Sequence, residues 1–495
     1  MIEIKLSSQS FRVSAAPDGL LYGTTLSLRS YLTRFSHMKW NQQLRRNVLL
    51  RRYVYYNDRT QTLHIPRYDL FAFCQLLQQY GIAYTTTELP LQYGLDVTIP
   101  IKAGITDRDE RQTKAIHHLT TSDDTVRALS LATGVGKTYC LIRTLSHIGK
   151  RAMVCVGGLV EQWKEAIFTF TDLTEDDIYV IQGAPSMSKL LNQIDKTIFP
   201  KIILCSLGTT RNYVIDHVSY QDHPPFDALF DLLQVGVRAI DEVHLNFWLT
   251  MMLDLRSHAA ISVVLSATFD RGDMQVKRIF DAHYPKLIRF GENEYDRYVD
   301  IYSYSYHAGN LPMKAYMTSM GYNHSKFEEW LLRRGGTKLE YIYGITYGPI
   351  IFSHYVNIRH PGQKLLILCS TRDMCQWFKQ RLELDLPKIE NFTINLYLYE
   401  SAESVLTDSD IIISTFGSAG TGRDIKGLRT VLMTIATGSD ITNLQTLGRL
   451  RPLNNTDTTV YAYVWNRGIR AHHNYQTIRR NTFRNRGRSF HEFSN

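Results

Sequence analysis

Apolar and polar positions change their rhythm twice along this chain. Over the first hundred residues Ile2-Glu3-Ile4-Lys5-Leu6 alternates, which predicts a half-buried strand, and residues 26–35 carry helical spacing. Residues 45–56 read as an extended stretch with Arg45, Arg46, Arg51 and Arg52 among apolar and aromatic side chains. Asn57-Asp58 predicts a turn, residues 61–65 a returning strand, and residues 68–80 an amphipathic helix. Beyond Pro100 and Gly104 short apolar runs take over, at 126–131, 151–156, 201–205, 235–240 and 260–265, with helical stretches between them. Such runs predict strands buried on both faces of a parallel sheet, with chemistry gathered at their carboxyl ends. A second series begins near Tyr298 and continues through 364–369, 411–413 and 431–435, while 312–360 is helical, aromatic and without a motif.

The expectation is an α/β protein: two parallel-sheet lobes preceded by a small α+β domain. Its expected parts are a basic nucleic-acid-binding domain over 1–100, lobes over 101–290 and 291–467, and a basic tail over 468–495. Residues 270–295 read as the link between the lobes.

Composition narrows the class. At 495 residues the chain is too long for one core, and 44% hydrophobic with 21% charged residues is ordinary for soluble protein. No run of eighteen apolar residues occurs, and the first residues are unlike a secretory signal. Six cysteines lie scattered without a Cys-x-x-Cys pair, which predicts buried thiols in a reducing cytoplasm (a host's, if phage-encoded) and neither disulfides nor a zinc site. The net charge of +9 is uneven: residues 1–100 hold +5, residues 465–495 hold +6, and the remainder −2. Basic ends around a near-neutral middle suit a polyphosphate partner, or are two solvated faces.

Candidate chemistry centres on Leu131-Ala132-Thr133-Gly134-Val135-Gly136-Lys137-Thr138, between a predicted strand and a predicted helix. In that setting the backbone of Thr133, Gly134, Val135 and Gly136 can turn N–H groups around phosphate oxygens at a helix N-terminus. Lys137 would reach the β- and γ-phosphates and the Thr138 hydroxyl would ligate Mg²⁺. Leu131 stands where such loops usually carry their first glycine. Gln112, in a helix opening at Arg108, either reads an adenine edge or is an ordinary surface amide.

Asp241-Glu242-Val243-His244 follows 104 residues after Lys137, and Ser266-Ala267-Thr268 comes 25 residues after Asp241, each at a predicted strand end. The three motifs in this order resemble superfamily 2 helicases. The resemblance implies two RecA-like lobes that bind ATP and Mg²⁺. Asp241 would hold the metal, Glu242 would orient and deprotonate the attacking water, and His244 would pass the nucleotide state to Ser266 and Thr268. It further implies strand contacts at Ser206, Thr209 and Arg211, at Ser370, Thr371 and Arg372, and at Thr415, Phe416 and Gly417. Gly422 and Asp424 match the part that closes on the nucleotide, and Gln445 and Arg449 the last motif, whose arginines act on the γ-phosphate. Family members place a second arginine three residues after the first; Pro452 stands there, so Arg451 is the expected substitute.

The order of parts and the wording of residues 415–422 are similar to the phage recombination helicases, which unwind branched DNA, drive branch migration and reanneal strands. That implies a helicase of forked or branched DNA in replication, recombination and repair. The N-terminal arginines and Tyr53, Tyr55 and Tyr56 would contact phosphates and stack along a duplex arm. An RNA helicase of the same superfamily is the alternative, as is a nucleic-acid-binding or annealing protein that uses ATP as a switch. The hydrolytic Glu242 speaks against a mere switch, and a nuclease would need metal ligands beyond the Mg²⁺ pair.

Overall fold

The computed structural model describes the chain outside residues 1, 16–30, 42–45, 58–61, 132–134, 158–159, 216–223, 225, 244–245, 268, 270–272, 292–296, 320, 387–390, 399–400, 420–424, 454–456, 485 and 495. It divides into two compact units, Met1–Glu294 and Tyr295–Asn495. No helix among the described residues is long and apolar enough to cross a membrane.

The first unit opens with β1 (Ile2–Leu6), β2 (Ser10–Ala15), β3 (Ser36–Asn41), β4 (Arg46–Arg52), β5 (Tyr55–Asn57), β6 (Thr62–Pro66) and β7 (Tyr84–Glu88). Five of them form a mixed sheet in the order β5-β6-β2-β1-β7, backed by a helix over Leu70–Gln79, while β3 and β4 pair as a separate hairpin. Then come β8 (Val126–Ser130), β9 (Ala152–Val156), β10 (Ile178–Ile181), β11 (Ile202–Ser206), β12 (Val237–Ile240), β13 (Ile261–Ser266) and β14 (Arg289–Phe290). They make a seven-stranded sheet in the order β10-β11-β9-β12-β13-β8-β14, parallel throughout. Strand alternation splits its residues between two cores: Met153 and Cys155 belong to one, Ala152, Val154 and Val156 to the other. Residues 270–295, expected as a link, supply the helix Met274–His283 and the edge strand β14 of this sheet.

The N-terminal sheet shares the first of those cores, where Ile4, Phe11, Val13 and Phe73 join Met153, Phe247 and Phe280. Polar contacts extend the join. Ser10 Oγ donates to Leu255 O at 3.0 Å, and a ring nitrogen of His64 lies 2.8 Å from the same carbonyl. Arg238, fully buried, pairs with Asp254 and bonds Gln9 Oε1 at 3.1 Å. Burial alone would raise the Asp254 carboxyl, but the Arg238 charge and hydrogen bonds from His283 and Tyr284 hold it below the usual range. The first hundred residues therefore lie within one compact unit with the sheet that follows.

The second unit holds β15 (Val299–Tyr306), the short hairpin β16 (Met317–Thr318) and β17 (Gly321–Tyr322), then β18 (Lys364–Cys369), β19 (Ile394–Tyr397), β20 (Ile411–Thr415), β21 (Leu428–Met433), β22 (Thr459–Asn466) and β23 (Ser489–Ser494). Its main sheet is again seven parallel strands, in the order β19-β20-β18-β21-β22-β15-β23. Residues 468–495, expected as a basic tail, instead form the helix Arg470–Arg484 and the edge strand β23. Three of their six arginines are engaged within the unit: Arg479 is buried on Asn443, Ile435 O and the Tyr463 ring, Arg480 pairs with Glu492, and Arg488 with Asp300. All six cysteines are free thiols, five buried and Cys74 half-buried.

Candidate nucleotide and strand sites

In the first unit three loops at strand ends converge. β8 ends at Ser130, and the helix Lys137–Ile148 starts seven residues on, with Gly136 before it at φ 104°. Only glycine serves at 136: the backbone is left-handed, and a Cβ would lie 2.4 Å from Gln112 Nε2. Lys137 is 9% exposed; its Nζ donates to Leu131 O at 3.2 Å and stands 3.8 Å from Glu242 Oε1. Thr138 follows, half-buried, and Val135 is buried. β12 runs into Asp241 and Glu242, and Glu242 takes a left-handed φ of 52°, a strained conformation of the kind found where a side chain must be aimed. Its backbone N–H donates to Asp241 Oδ1 at 2.8 Å. Beside them, Ser266 O accepts from Leu131 N at 3.2 Å and Leu265 O from Val243 N at 3.0 Å. The loops after β8 and β12 are thus each tied through the backbone to the end of β13.

Trp163, which no motif of the sequence marks, belongs to this group. Its Nε1 donates to Asp241 Oδ2 at 3.1 Å. Burial raises the Asp241 carboxyl above its usual range and the neighbouring Glu242 charge adds to it, while Lys137 and the Trp163 bond oppose them. Gln112 corrects an expectation. Its Nε2 donates to Val135 O at 2.7 Å and its Oε1 accepts from Arg108 N at 2.8 Å, so both ends of the amide brace the loop rather than face a base. Thr133, Gly134, His244, Thr268, Gly422, Asp424 and Arg45 lie outside the described residues.

In the second unit five of the six residues expected to contact a strand line one open cleft of about 510 Å³: Ser370, Arg372, Thr415, Phe416 and Gly417, with Ile435, Thr437 and Thr442. The sixth, Thr371, turns elsewhere. Its hydroxyl caps the helix Arg372–Asp385 by accepting from Met374 N, and donates to Glu328 at 2.8 Å. Gln445 lies in the helix Asp440–Leu447, and Arg449, 5% exposed, follows it. Arg451 turns its guanidinium back onto the Gly448 and Leu450 carbonyls. Arg479 and Thr482 from the C-terminal helix bond Asn443 and Asp440, and so hold the Gln445 helix.

The remaining expected contacts divide by exposure. Ser206 Oγ caps its helix by accepting from Thr209 N at 3.0 Å, and the buried Thr209 hydroxyl takes the Gly183 N–H, which leaves Arg211 as the exposed member. On the hairpin Arg46, Arg51 and Arg52 are exposed, and Arg51 lies over the Trp248 ring at 5.9 Å. The tyrosines do not join them. Tyr53 is 2% exposed and stacks on Phe247 at 5.3 Å, while Tyr55 carries Arg256 on its ring at 4.0 Å.

No family model and no curated protein matches this chain. Among solved structures, T4 UvsW is similar over 100% of this chain and 99% of its own, at 12% identity and a TM-score of 0.35. Dbp5 of S. cerevisiae bound to RNA and ADP BeF3 is similar over 78% and 89%, at 13% identity and 0.47. Mss116p bound to ssRNA and AMP-PNP is similar over 78% and 77%, at 13% and 0.46. With the Lys137, Asp241 and Ser266 turns at the ends of parallel strands and a second parallel sheet of the same size, the chain is an α/β protein whose two seven-stranded sheets fit two RecA-like lobes, with a small mixed sheet ahead of the first.

Proposed function

We propose that this protein hydrolyses ATP to move along DNA at forks and branches, unwinding and migrating junctions and reannealing strands. The observation that carries the reading is the group at the ends of β8, β12 and β13, where Lys137 Nζ sits 3.8 Å from Glu242 Oε1 with Asp241 alongside. A buried cation beside two carboxylates on the mouth of a parallel sheet suits a charged, metal-bound phosphate chain.

Lys137 holds the terminal phosphates, and Glu242, aimed by its left-handed backbone, takes the proton of the attacking water. Asp241 and Thr138 offer hard oxygen donors, the set that suits Mg²⁺. Bound there, Mg²⁺ would neutralise phosphate charge. Trp163 orients Asp241, and in the second unit Arg451, folded onto the Gly448 and Leu450 carbonyls, shapes the turn that carries Arg449. The cleft at Ser370, Arg372 and Thr415–Gly417 takes the strand's phosphates, and the hairpin arginines a duplex arm.

The test is ATPase activity against single-stranded, duplex, forked and four-way DNA and against RNA. Strongest stimulation by forked or four-way DNA is expected. Strongest stimulation by RNA would replace the DNA reading with the RNA one, and turnover indifferent to every ligand would remove both.

A further inference from the structure

One buried pair in the stretch without a motif touches two of the loops that line the strand cleft. His324 and Glu328 stand one turn apart on the helix His324–Arg334, and Glu328 is 2% exposed. Its carboxylate accepts from Ser370 N at 2.9 Å, from Thr371 N at 2.8 Å and from the Thr371 hydroxyl at 2.8 Å. His324 Nε2 lies 3.4 Å from Glu328 Oε1. On its other side His324 Nδ1 receives the Tyr322 hydroxyl at 2.6 Å and the Ala436 N–H at 3.3 Å. With Nδ1 accepting, the ring carries its proton on Nε2, the atom that stands 3.4 Å from Glu328 Oε1.

Ser370 and Arg372 line the cleft on one side, Ile435 and Thr437 on another. We propose that His324 and Glu328 are a positioning pair that brackets the cleft, setting the spacing between the turn after β18 and the turn after β21 at which a strand's phosphates are received. Three convergent donors on one buried carboxylate fix the Ser370–Thr371 backbone, and Ser325 Oγ, 2.6 Å from Ser370 Oγ, adds a fourth tie from the same helix. Neither member faces the ligand. Each acts through the backbone of residues that do, so removing one loosens the spacing without removing a phosphate contact.

This rests on the strand-stimulated ATPase reading above. The variant is Glu328→Gln, which keeps the shape but turns an NH₂ toward a donor. The probes are fluorescent oligo-dT and oligo-U, with the full chain. Loss of one charge-assisted bond predicts about a tenfold rise in the strand concentration for half-maximal ATPase. Turnover at saturating strand, nucleotide affinity without strand and melting temperature should stay near wild type, a split that a purely structural role would not produce. His324→Gln, which releases the 436 side, should show the same split more weakly. It is read in place of Glu328→Gln should the latter not fold, and collapse of both variants overturns the inference. A strand-stimulated wild type beside a Glu328→Gln protein with unchanged half-saturation overturns the bracket alone. A wild type that neither strand stimulates removes the function reading, and the bracket with it.

Discussion

At the scale of single residues the candidate nucleotide site combines two costs, a strained backbone at Glu242 and a carboxyl pushed up at Asp241. Glu242→Gln should bind nucleotide normally and lose turnover by about a hundredfold or more, since a positioned base contributes that much. Normal turnover by that protein would move the base elsewhere. Trp163→Phe keeps the ring's packing and deletes the donor to Asp241. It should raise the Mg²⁺ concentration for half-maximal ATPase by roughly tenfold, as loss of a ligand's outer partner commonly does. A Mg²⁺ titration unchanged from wild type would show the bond to be incidental. Lys137 and the Asp241-Glu242 pair were legible as candidates because each sits in a short local motif, and the structure brings Lys137 within 3.8 Å of Glu242. Trp163 was not, because its partner lies 78 positions away and no local period encodes that meeting. Glu328, 42 positions from Ser370, escaped for the same reason.

At the scale of elements the buried strands were the most readable part. Runs such as Leu365 to Cys369 admit little but a central strand, and every one of them joined a parallel sheet. The arginine-rich stretch misled because period-two reasoning was carried across a bend. β4 ends at Arg52 and β5 begins at Tyr55, so Tyr53 leaves the arginine face and enters the core against Phe247. The phosphate contact proposed for the hairpin would then rest on the exposed Arg46, Arg51 and Arg52, since Tyr53, Tyr55 and Tyr56 pack on the core. Changing all three to Glu should flatten the slope of log affinity for a four-way junction against log salt, by about 0.9 per lost contact. An unchanged slope would make the hairpin a solvated edge.

A second element carries a pH dependence. His354 is buried between Tyr302, at 4.2 Å, and Tyr304, and burial, with the His491 charge nearby, pushes its pKa from 6.5 to about 4. The folded state therefore holds the neutral ring while the unfolded chain takes a proton. Stability from this group is complete above pH 6.5 and falls by about 1.4 kcal/mol per unit as the pH drops from there toward 4. Denaturant titrations of the full chain across that window should show the loss, and His354→Gln should make it shallower by that amount. An equally steep decline in the variant would assign it to other groups.

At the scale of the whole molecule the N-terminal sheet is an integral layer of the first unit, since Ile4, Phe11 and Val13 are buried in the core that also holds Met153 and Phe247. Removing residues 1–100 uncovers that core and strips Gln9 from the Arg238–Asp254 pair. The truncated chain is expected to be insoluble or to bind a hydrophobic dye strongly; a soluble product with wild-type melting would contradict the shared core. Composition concealed this join, because a boundary of Pro and Gly reads the same whether or not two sheets meet behind it.

The weld has a mechanical meaning. Trp248 Nε1 grips Arg52 O at 2.8 Å, and Tyr53 is seated on Phe247, so the hairpin's root is fastened to the helix Phe247–Arg256 that follows the Asp241-Glu242 turn. Two such contacts at its root couple the hairpin to that helix. A duplex resting on those arginines would be carried through whatever displacement the nucleotide-bearing sheet makes, and its recoil would load Glu242's turn in return. On the proposed function, load from such a duplex and the state of the Asp241-Glu242 turn would be felt through one and the same helix.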